Sequence, residues 1–237
     1  MIATFPLQGQ THTSSRDWAS FFTTNTQRWD KFVRNLELEK IQLNPDFVDS
    51  IKTFQLGEQS EGRTLLALAT KYAQQHNDPD YLCAIQQFIK EEQRHAYFLA
   101  EALQVNDAEP IQKQWTDGLF RKLRKLCGLE TMISVLLTAE VIAIAYYSTL
   151  AKASTDHQAR WLFERILQDE VTHLQFHGEH LSRLRSGPWS IRWALHRVFV
   201  AMVVTLVWVE HRHVLKHQFS SFFQLLKRCD ALLVNLV

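Results

Sequence analysis

Glu91-Glu92-Gln93-Arg94-His95 and Asp169-Glu170-Val171-Thr172-His173 are the two stretches that decide the fold. Each consists of an acid followed by Glu-x-x-His. Residues three apart lie on the same face of an α-helix, so the Glu and the His of each stretch can point at one spot. Two such halves, with one Glu from each of two further helices, make the di-metal carboxylate site of a four-helix bundle. The doubled pattern therefore predicts an all-α bundle.

The carboxylate that would complete the second half lies in an apolar stretch before it. Glu140 is the only charged residue between Met132 and Tyr147, and it precedes Glu170 by 30 residues. A buried carboxylate is costly unless a cation compensates its charge. Any single Glu of this set also fits a solvated helix face. Four Glu and two His at matched spacing on apolar seams favour a metal site, with Glu140 as a ligand.

The first half offers two candidate carboxylates, Glu58 and Glu61, on one predicted helix. An inward seam with alternating spacings of four and three residues includes both of them. The seam consists of Phe47, Ile51, Phe54, Glu58, Glu61, Leu65, Leu68 and Tyr72. The repeat alone therefore leaves the choice between the two open.

An overlay of the two halves at their turns favours Glu61. Asp78 and Asp156 are both predicted N-cap residues, and the Glu of each Glu-x-x-His follows its cap by 14 residues. Glu140 lies 16 residues before its cap, whereas Glu61 lies 17 and Glu58 lies 20 residues before theirs. Residues equally far from the turn of an antiparallel pair lie at one level. Glu61 is thus the preferred ligand, with Glu58 as the alternative or as an extra ligand.

The composition fits one sizeable helical domain in a reducing compartment. The chain has 237 residues, 46% of them hydrophobic, with only 7 Gly and 5 Pro. A net charge of +1 gives no argument for binding nucleic acid. Three cysteines without metal-type spacing, and an N-terminus without a signal-peptide pattern, predict a cytoplasmic protein. No phosphate-binding Gly loop or nucleophile elbow is present, so the sequence identifies no other cofactor site and no catalytic residue.

The predicted single domain has three parts: an N-terminal arm over 1–44, a four-helix core over 45–185 and apolar C-terminal helices over 189–237. Within the arm, a short helix inside 17–38 carries aromatic residues that would cover the bundle. The core helices are predicted at 45–76, 79–105, 129–153 and 157–185, with a crossover at 111–128 that includes a basic run.

The C-terminal part contains an unusually apolar run. Between Val198 and Val209 the only polar residue is Thr205. Twelve residues are fewer than the roughly 20 that span a bilayer, so the run predicts a buried fifth helix. A dimer interface or a membrane-surface helix is the alternative. A final helix with Phe222, Phe223 and Leu225 is a further candidate to cover this run within the chain.

The motifs at Leu56-Gly57-Glu58, Glu92-x-x-His95, Glu140 and Glu170-x-x-His173 make the chain resemble the ferritin-like di-iron carboxylate superfamily. The resemblance covers roughly residues 45–185. The chain is similar to bacterial ferritin-like domain proteins of unassigned reaction, also over 54–58, 60–63 and 115–117. Residues 140–147 are similar to a helix of aldehyde-deformylating oxygenases, but the first-half spacing of those enzymes differs. Rubrerythrins carry an additional four-cysteine iron site, for which this chain has too few cysteines.

The resemblance implies a ferritin-like bundle that holds two metal ions, preferably iron, with Mn or Zn compatible. The implied ligands are Glu61 (or Glu58), Glu92, His95, Glu140, Glu170 and His173. As in bacterial di-iron monooxygenases, the preceding acids Glu91 and Asp169 would hydrogen-bond a ligand histidine of the opposite half. The expected function is an oxidoreductase that uses O2 or peroxide on a small or hydrophobic molecule, with an electron donor. Ferritin-type iron storage and non-enzymatic metal binding are the alternatives.

One further histidine on the fourth helix competes for a place in this ligand set. His177 lies one turn beyond His173 on the same face. A single His at such a position is usually a hydrogen-bonded core residue, and this is the preferred interpretation.

Overall fold

The computed structural model of the protein describes residues 14–59, 62–112, 128–185, 189–234 and 236. Within these ranges every regular element is a helix, which confirms the predicted all-α class. The interpretations of residues 1–13, of Glu61 and of the basic run and the 115–117 motif in the crossover lie outside the described residues.

The α-helices are numbered in chain order. They are α1 (Ser15–Val33), α2 (Val48–Gln59), α3 (Arg63–His76), α4 (Pro79–Val105), α5 (Leu129–Ala153), α6 (His157–Leu184), α7 (Trp189–Leu215) and α8 (Phe222–Val234). Short 3₁₀ turns lie at Leu38–Lys40 and Pro45–Phe47.

The bundle consists of α4, α5, α6 and a first helix made of two pieces, α2 and α3. Both pieces pack on α4, and α5 packs along α6. The side chain of Asp78 accepts a hydrogen bond from the Tyr81 N–H at 3.0 Å, and that of Asp156 accepts one from the Ala159 N–H at 2.7 Å. These caps satisfy N–H groups that the first turn of a helix leaves without partners, so α4 and α6 begin where their caps predict.

The first core helix, predicted from residue 45 to His76 with interruptions at Gly57 and Gly62, consists of two separate helices. Helix α2 ends at Gln59, and α3 begins at Arg63 after Gly62, which has a φ of 140°. That backbone conformation is outside the helical region and is accessible essentially to glycine alone. A Cβ at Gly62 would also lie 3.3 Å from the Cγ2 atom of Ile89 on α4. Gly62 therefore precedes α3 as its N-cap residue, at a point where the backbone lies close to α4.

The N-terminal helix α1 is longer than the predicted short helix and lies along α4. Its first turn has a capping box between Ser14 and Asp17, in which each side chain bonds the backbone N–H of the other residue. Trp18, Phe22 and Trp29 from its inner face are at most 2% exposed. These side chains close the bundle on the side of the two Glu-x-x-His motifs.

The C-terminal helices pack on α5. The inner face of α7 is fixed by two buried histidines: His211 Nδ1 lies 2.8 Å from the Ser50 hydroxyl, and His196 Nε2 lies 3.0 Å from the Thr138 hydroxyl. Burial lowers the pKa of each of these histidines to about 4, so both act as neutral hydrogen-bonding groups near pH 7. Helix α8 packs against both α7 and α5.

The expectation that α7 is buried all round is wrong for its outer face. Because α8 packs beside α5 and covers only one flank, five apolar side chains of α7 stay 56–71% exposed: Ile191, Leu195, Val198, Met202 and Val209. By length and composition, both Leu129–Ala153 and Ile191–Leu215 would suffice to cross a membrane. The first is a core helix, 72% buried over its most apolar window, and the second is 33% buried. Length and composition alone are weak support for a membrane span.

Candidate metal centre

Six side chains from the four parts of the bundle converge on one buried spot. Glu58 comes from α2, Glu92 and His95 from α4, Glu140 from α5, and Glu170 and His173 from α6. Ligand atoms of Glu58, Glu92, His95 and Glu170 lie within 4.8 Å of one another, as do those of Glu140, Glu170 and His173. All six residues are at most 8% exposed. The arrangement provides two adjoining groups of metal-ligating atoms.

The two histidines are oriented alike, with one ring nitrogen toward the cluster. The Nδ1 atom of His95 lies 3.1 Å from a Glu170 oxygen and 3.8 Å from a Glu58 oxygen. The Nδ1 atom of His173 lies 3.0 Å from a Glu92 oxygen and 3.9 Å from a Glu140 oxygen. Each Nδ1 atom is therefore available for coordination, and each group pairs one histidine with one terminal carboxylate.

Glu92 and Glu170 each contact both histidines. Glu92 lies 3.7 Å from His95 and 3.0 Å from His173, while Glu170 lies 3.1 Å from His95 and 3.9 Å from His173. A carboxylate has two oxygens and can bind one ion with each. Glu170 directs a different oxygen toward each histidine and belongs to both groups of ligand atoms, whereas Glu92 contacts both histidines through its Oε1 atom alone.

The atoms that would bind metal are the ones that lack other partners. Among the described residues, Glu92 Oε1, His95 Nδ1, Glu170 Oε1 and His173 Nδ1 are buried and make no hydrogen bond of regular geometry; each only faces another of these four atoms, at 3.0 or 3.1 Å. Buried polar atoms in folded proteins are nearly always paired, so a group of unpaired ones needs an explanation. Two metal ions would satisfy all four atoms, and the donor set of carboxylates and imidazoles suits divalent iron, manganese or zinc.

Two carboxylates of the cluster, Glu92 and Glu140, lie where burial and crowding disfavour their ionisation. Burial and repulsion from Glu58 and Glu170 raise the pKa of Glu92 to about 8. Burial and repulsion from Glu170 and Glu92 raise the pKa of Glu140 well above its ordinary value. Without cations these groups would hold protons near pH 7, because several buried negative charges repel one another. Divalent cations would take the place of those protons.

The same surroundings favour the charged form of the two histidines. Burial alone would lower the pKa of His173, but the hydrogen bond to Glu91 and the adjacent carboxylate of Glu92 raise it to about 10. His95 behaves alike: burial opposes its charged form, while hydrogen bonds, the strongest to Asp169, raise its pKa well above the ordinary value. Both imidazoles lie in a strongly negative environment, which also favours metal cations.

Of the two candidate ligands in the first half, the described residues include only Glu58. Its carboxylate is 8% exposed and accepts a hydrogen bond from the Tyr147 hydroxyl at 2.5 Å. Burial, together with the negative charge of Glu58, raises the pKa of Tyr147 well above its ordinary value, which keeps the phenol protonated. The Tyr147 hydroxyl therefore holds the Glu58 side chain at the centre.

The two acids that precede the Glu-x-x-His motifs face the histidines of the opposite halves. The Nε2 atom of His95 lies 3.1 Å from Asp169, and that of His173 lies 3.0 Å from Glu91. Each Nε2–H donates to its acid, which leaves Nδ1 directed toward the cluster. This is the contact that the resemblance to di-iron monooxygenases implied.

Three residues at this site were not identified from the sequence: Asn25 and Trp29 on α1, and Arg165 on α6. Asn25 donates to both Glu91 and Asp169 at 2.8 Å, and the Trp29 indole N–H donates to Asp169 at 2.5 Å. Arg165 lies 2.8 Å from Asp169, four residues away on the same helix. That i,i+4 spacing was the one signal available for Arg165. No sequence pattern pointed to Asn25 or Trp29.

His177 is fully buried next to the cluster but belongs to neither ligand group. Its Nε2 atom lies 3.6 Å from a Glu140 oxygen, and neither ring nitrogen has a hydrogen-bond partner in the described part of the chain. Burial and the neighbouring His173 lower its pKa well below the ordinary value, so it is a neutral imidazole. His177 is therefore a core residue, as preferred from the sequence, but the predicted hydrogen bond is not formed within the described part of the chain.

The bundle and its paired carboxylate–histidine groups define a protein of the ferritin-like di-iron carboxylate superfamily. The family model described as Rubrerythrin matches residues 55–181, more than half of the 237-residue chain, so the chain belongs to the rubrerythrin family. The match extends from α2 to α6 and contains the six converging side chains. Searches of curated proteins and of solved structures found no match. Because the match covers the bundle, the low cysteine count, which separated this chain from rubrerythrins at first sight, does not exclude it from the family.

Proposed function

We propose that the protein is a di-iron oxidoreductase that uses O2 or peroxide. The ligands would be Glu58 and His95 at one position, Glu140 and His173 at the other, and Glu92 and Glu170 between them. The observation that supports this assignment best is the convergence of four unpaired buried atoms from Glu92, His95, Glu170 and His173. Manganese or zinc would fit the same atoms, and membership of the rubrerythrin family favours iron.

Two bound iron ions would supply the redox chemistry, and the chain supplies geometry, proton control and exclusion of water. Asp169 and Glu91 hold the N–H side of each imidazole and thereby present the other nitrogen to the ions. The Tyr147 hydroxyl holds a proton at Glu58. Phe22 and Phe88, both fully buried, pack against His173 and keep that side of the centre dry.

The deciding experiment combines metal analysis with a single oxidation. The protein is loaded anaerobically with Fe(II), its iron is counted, and O2 or hydrogen peroxide is then added in one equivalent. We expect two irons per chain and a rapid change in the visible spectrum. Glu92→Ala and Glu170→Ala should abolish binding of the pair, while Glu164→Ala, an exposed position on the same helix as Glu170, should leave it unchanged.

Three outcomes would contradict parts of the proposal. Folded protein that binds no metal would disprove the site. Two bound irons that react with neither oxidant would favour structural metals. Oxidation of many irons per chain within a large hollow assembly would instead identify iron storage.

A further inference from the structure

We propose that helix α1 completes the metal centre, with Asn25 positioning the histidine ligands of both halves at once. The inference rests on the proposed di-metal site and concerns residues outside the bundle. Asn25 is 2% exposed and lies between the two acids that hold the histidines. It is thus a positioning residue that acts through Glu91 and Asp169.

The hydrogen bonds of Asn25 fix its orientation. Its Nδ2 atom lies 2.8 Å from Glu91 Oε1 and 2.8 Å from Asp169 Oδ1. Its Oδ1 atom accepts a hydrogen bond from Arg165 at 2.8 Å. An amide has two N–H donors, and ionised carboxylates only accept, so the nitrogen must face the acids and the oxygen must face the guanidinium. The three partners together exclude the flipped amide.

Each acid uses its other oxygen for a histidine. Glu91 Oε2 accepts from His173, and Asp169 Oδ2 accepts from His95. The Asn25 amide therefore donates to Glu91 Oε1 and Asp169 Oδ1, while Glu91 Oε2 and Asp169 Oδ2 accept from the two imidazoles. Without Asn25, Glu91 would lose this donor from α1 and could rotate away from His173, while Asp169 would be held by Trp29 and Arg165 alone. Loss of such outer partners typically weakens metal binding about 10- to 100-fold.

Trp29 acts on one half only. Its indole N–H donates to Asp169 Oδ2, the same oxygen that accepts from His95, and its ring lies 5.8 Å from the His95 ring. Arg165 adds a charged contact to Asp169 Oδ1 at 2.8 Å. The Asp169–His95 side is therefore held by more donors than the Glu91–His173 side. Removal of Asn25 should affect both metal positions, whereas removal of the Trp29 N–H should affect only the position at His95.

Cobalt(II) titration tests this without any turnover. Co(II) is added to the metal-free protein, binding is followed by visible absorption, and the affinities of the two steps are fitted. For Asn25→Ala we expect both steps to weaken about 10- to 100-fold. For Trp29→Phe we expect one step to weaken and the other to stay. Trp18→Phe is the matched control: Trp18 is a buried tryptophan of the same helix, whose indole N–H donates to Glu179 on α6 at 2.9 Å.

A purely structural role for α1 would give a different result. It would lower the free energy of unfolding of Asn25→Ala and of Trp18→Phe, while both bound Co(II) like the wild type, and this would overturn the inference. Should Asn25→Ala fail to fold, Asn25→Asp keeps the shape and the acceptor for Arg165 but cannot donate, and wild-type Co(II) affinity in that variant would equally overturn it. If the wild-type protein itself binds no Co(II) or iron, the proposed function fails and not this step alone.

Discussion

Glu58 and Tyr147 show how a single side chain is brought to the metal centre. Glu58 lies near the end of α2, and its carboxylate accepts a hydrogen bond from the Tyr147 hydroxyl of α5. The hydrogen bond joins α2 to α5. Because burial, and after it the negative charge of Glu58, raises the pKa of Tyr147 well above its ordinary value, the phenol remains a donor over the whole physiological pH range.

We predict that Glu58, and not Glu61, is the ligand from the first half. Glu58→Ala should reduce tightly bound metal from two ions to one per chain, because Glu58 joins only the His95 group. Glu61→Ala, three residues away, is the matched variant and should retain both ions. Metal analysis of the two folded variants after dialysis gives the comparison. Retention of two ions by Glu58→Ala, with a loss in Glu61→Ala, would reverse the assignment.

The side chains that the structure brings together could be identified from the sequence where one helix carries the pattern. Glu92 with His95, and Glu170 with His173, follow from helical spacing alone, and Glu140 follows from its isolation among apolar residues. Asn25 could not be predicted in this way, since its partners Glu91 and Asp169 are 66 and 144 residues away. A repeat reports which residues share a face of one helix. It does not report what another element places against that face.

At the scale of elements, the apolar repeat of residues 47–72 did not indicate that α2 and α3 are separate helices. The overlay that favoured Glu61 counted residues back from the Asp78 cap through an unbroken helix. The backbone at Gly62 interrupts that helix, so the count has no fixed register beyond it. By contrast α4, α5 and α6 have the predicted limits to within one residue, because caps or strong apolar repeats define their ends.

The two glycines of this region should respond oppositely to alanine. Gly57 lies inside α2, and an added Cβ there would meet nothing within 4 Å, so Gly57→Ala should raise the free energy of unfolding by about 0.5–1 kcal/mol. Gly62 has a φ of 140° and lies close to Ile89, so Gly62→Ala should lower it by about 1–3 kcal/mol. Denaturant unfolding of the metal-free proteins measures both. Equal effects of the two substitutions would show that the break at Gly62 needs no glycine.

At the scale of the whole molecule, the outer face of α7 is the largest departure from a closed core. Ile191, Leu195, Val198, Met202 and Val209 recur every three, four or seven residues and are all more than half exposed. Thr205, between them, turns its hydroxyl back to the Ala201 carbonyl at 2.7 Å. The face is therefore an apolar stripe along most of the helix. Spacings of three and four residues are those with which one helix packs against another.

The charges beside this stripe favour a second protein chain over a lipid surface. Arg192 lies 3.1 Å from Glu130, and Arg197 pairs with Asp230 through two contacts of 2.7 Å. These ion pairs reduce the attraction of the two arginines for anionic lipid headgroups, although Glu130 also contacts Arg185 at 3.4 Å. An apolar stripe beside paired charges fits the corresponding helix of another copy of this chain.

We predict that the protein self-associates through α7. Met202 lies in the middle of the stripe, so Met202→Glu would place a charge where apolar side chains meet and should weaken association at least about tenfold. His213→Glu introduces the same side chain at an exposed position near the end of the helix and should leave association unchanged. Sedimentation over a range of protein concentrations measures the association of the wild type and both variants. A wild type that remains monomeric, or one that instead co-sediments with lipid vesicles and loses this in Met202→Glu, would contradict a protein partner on this face.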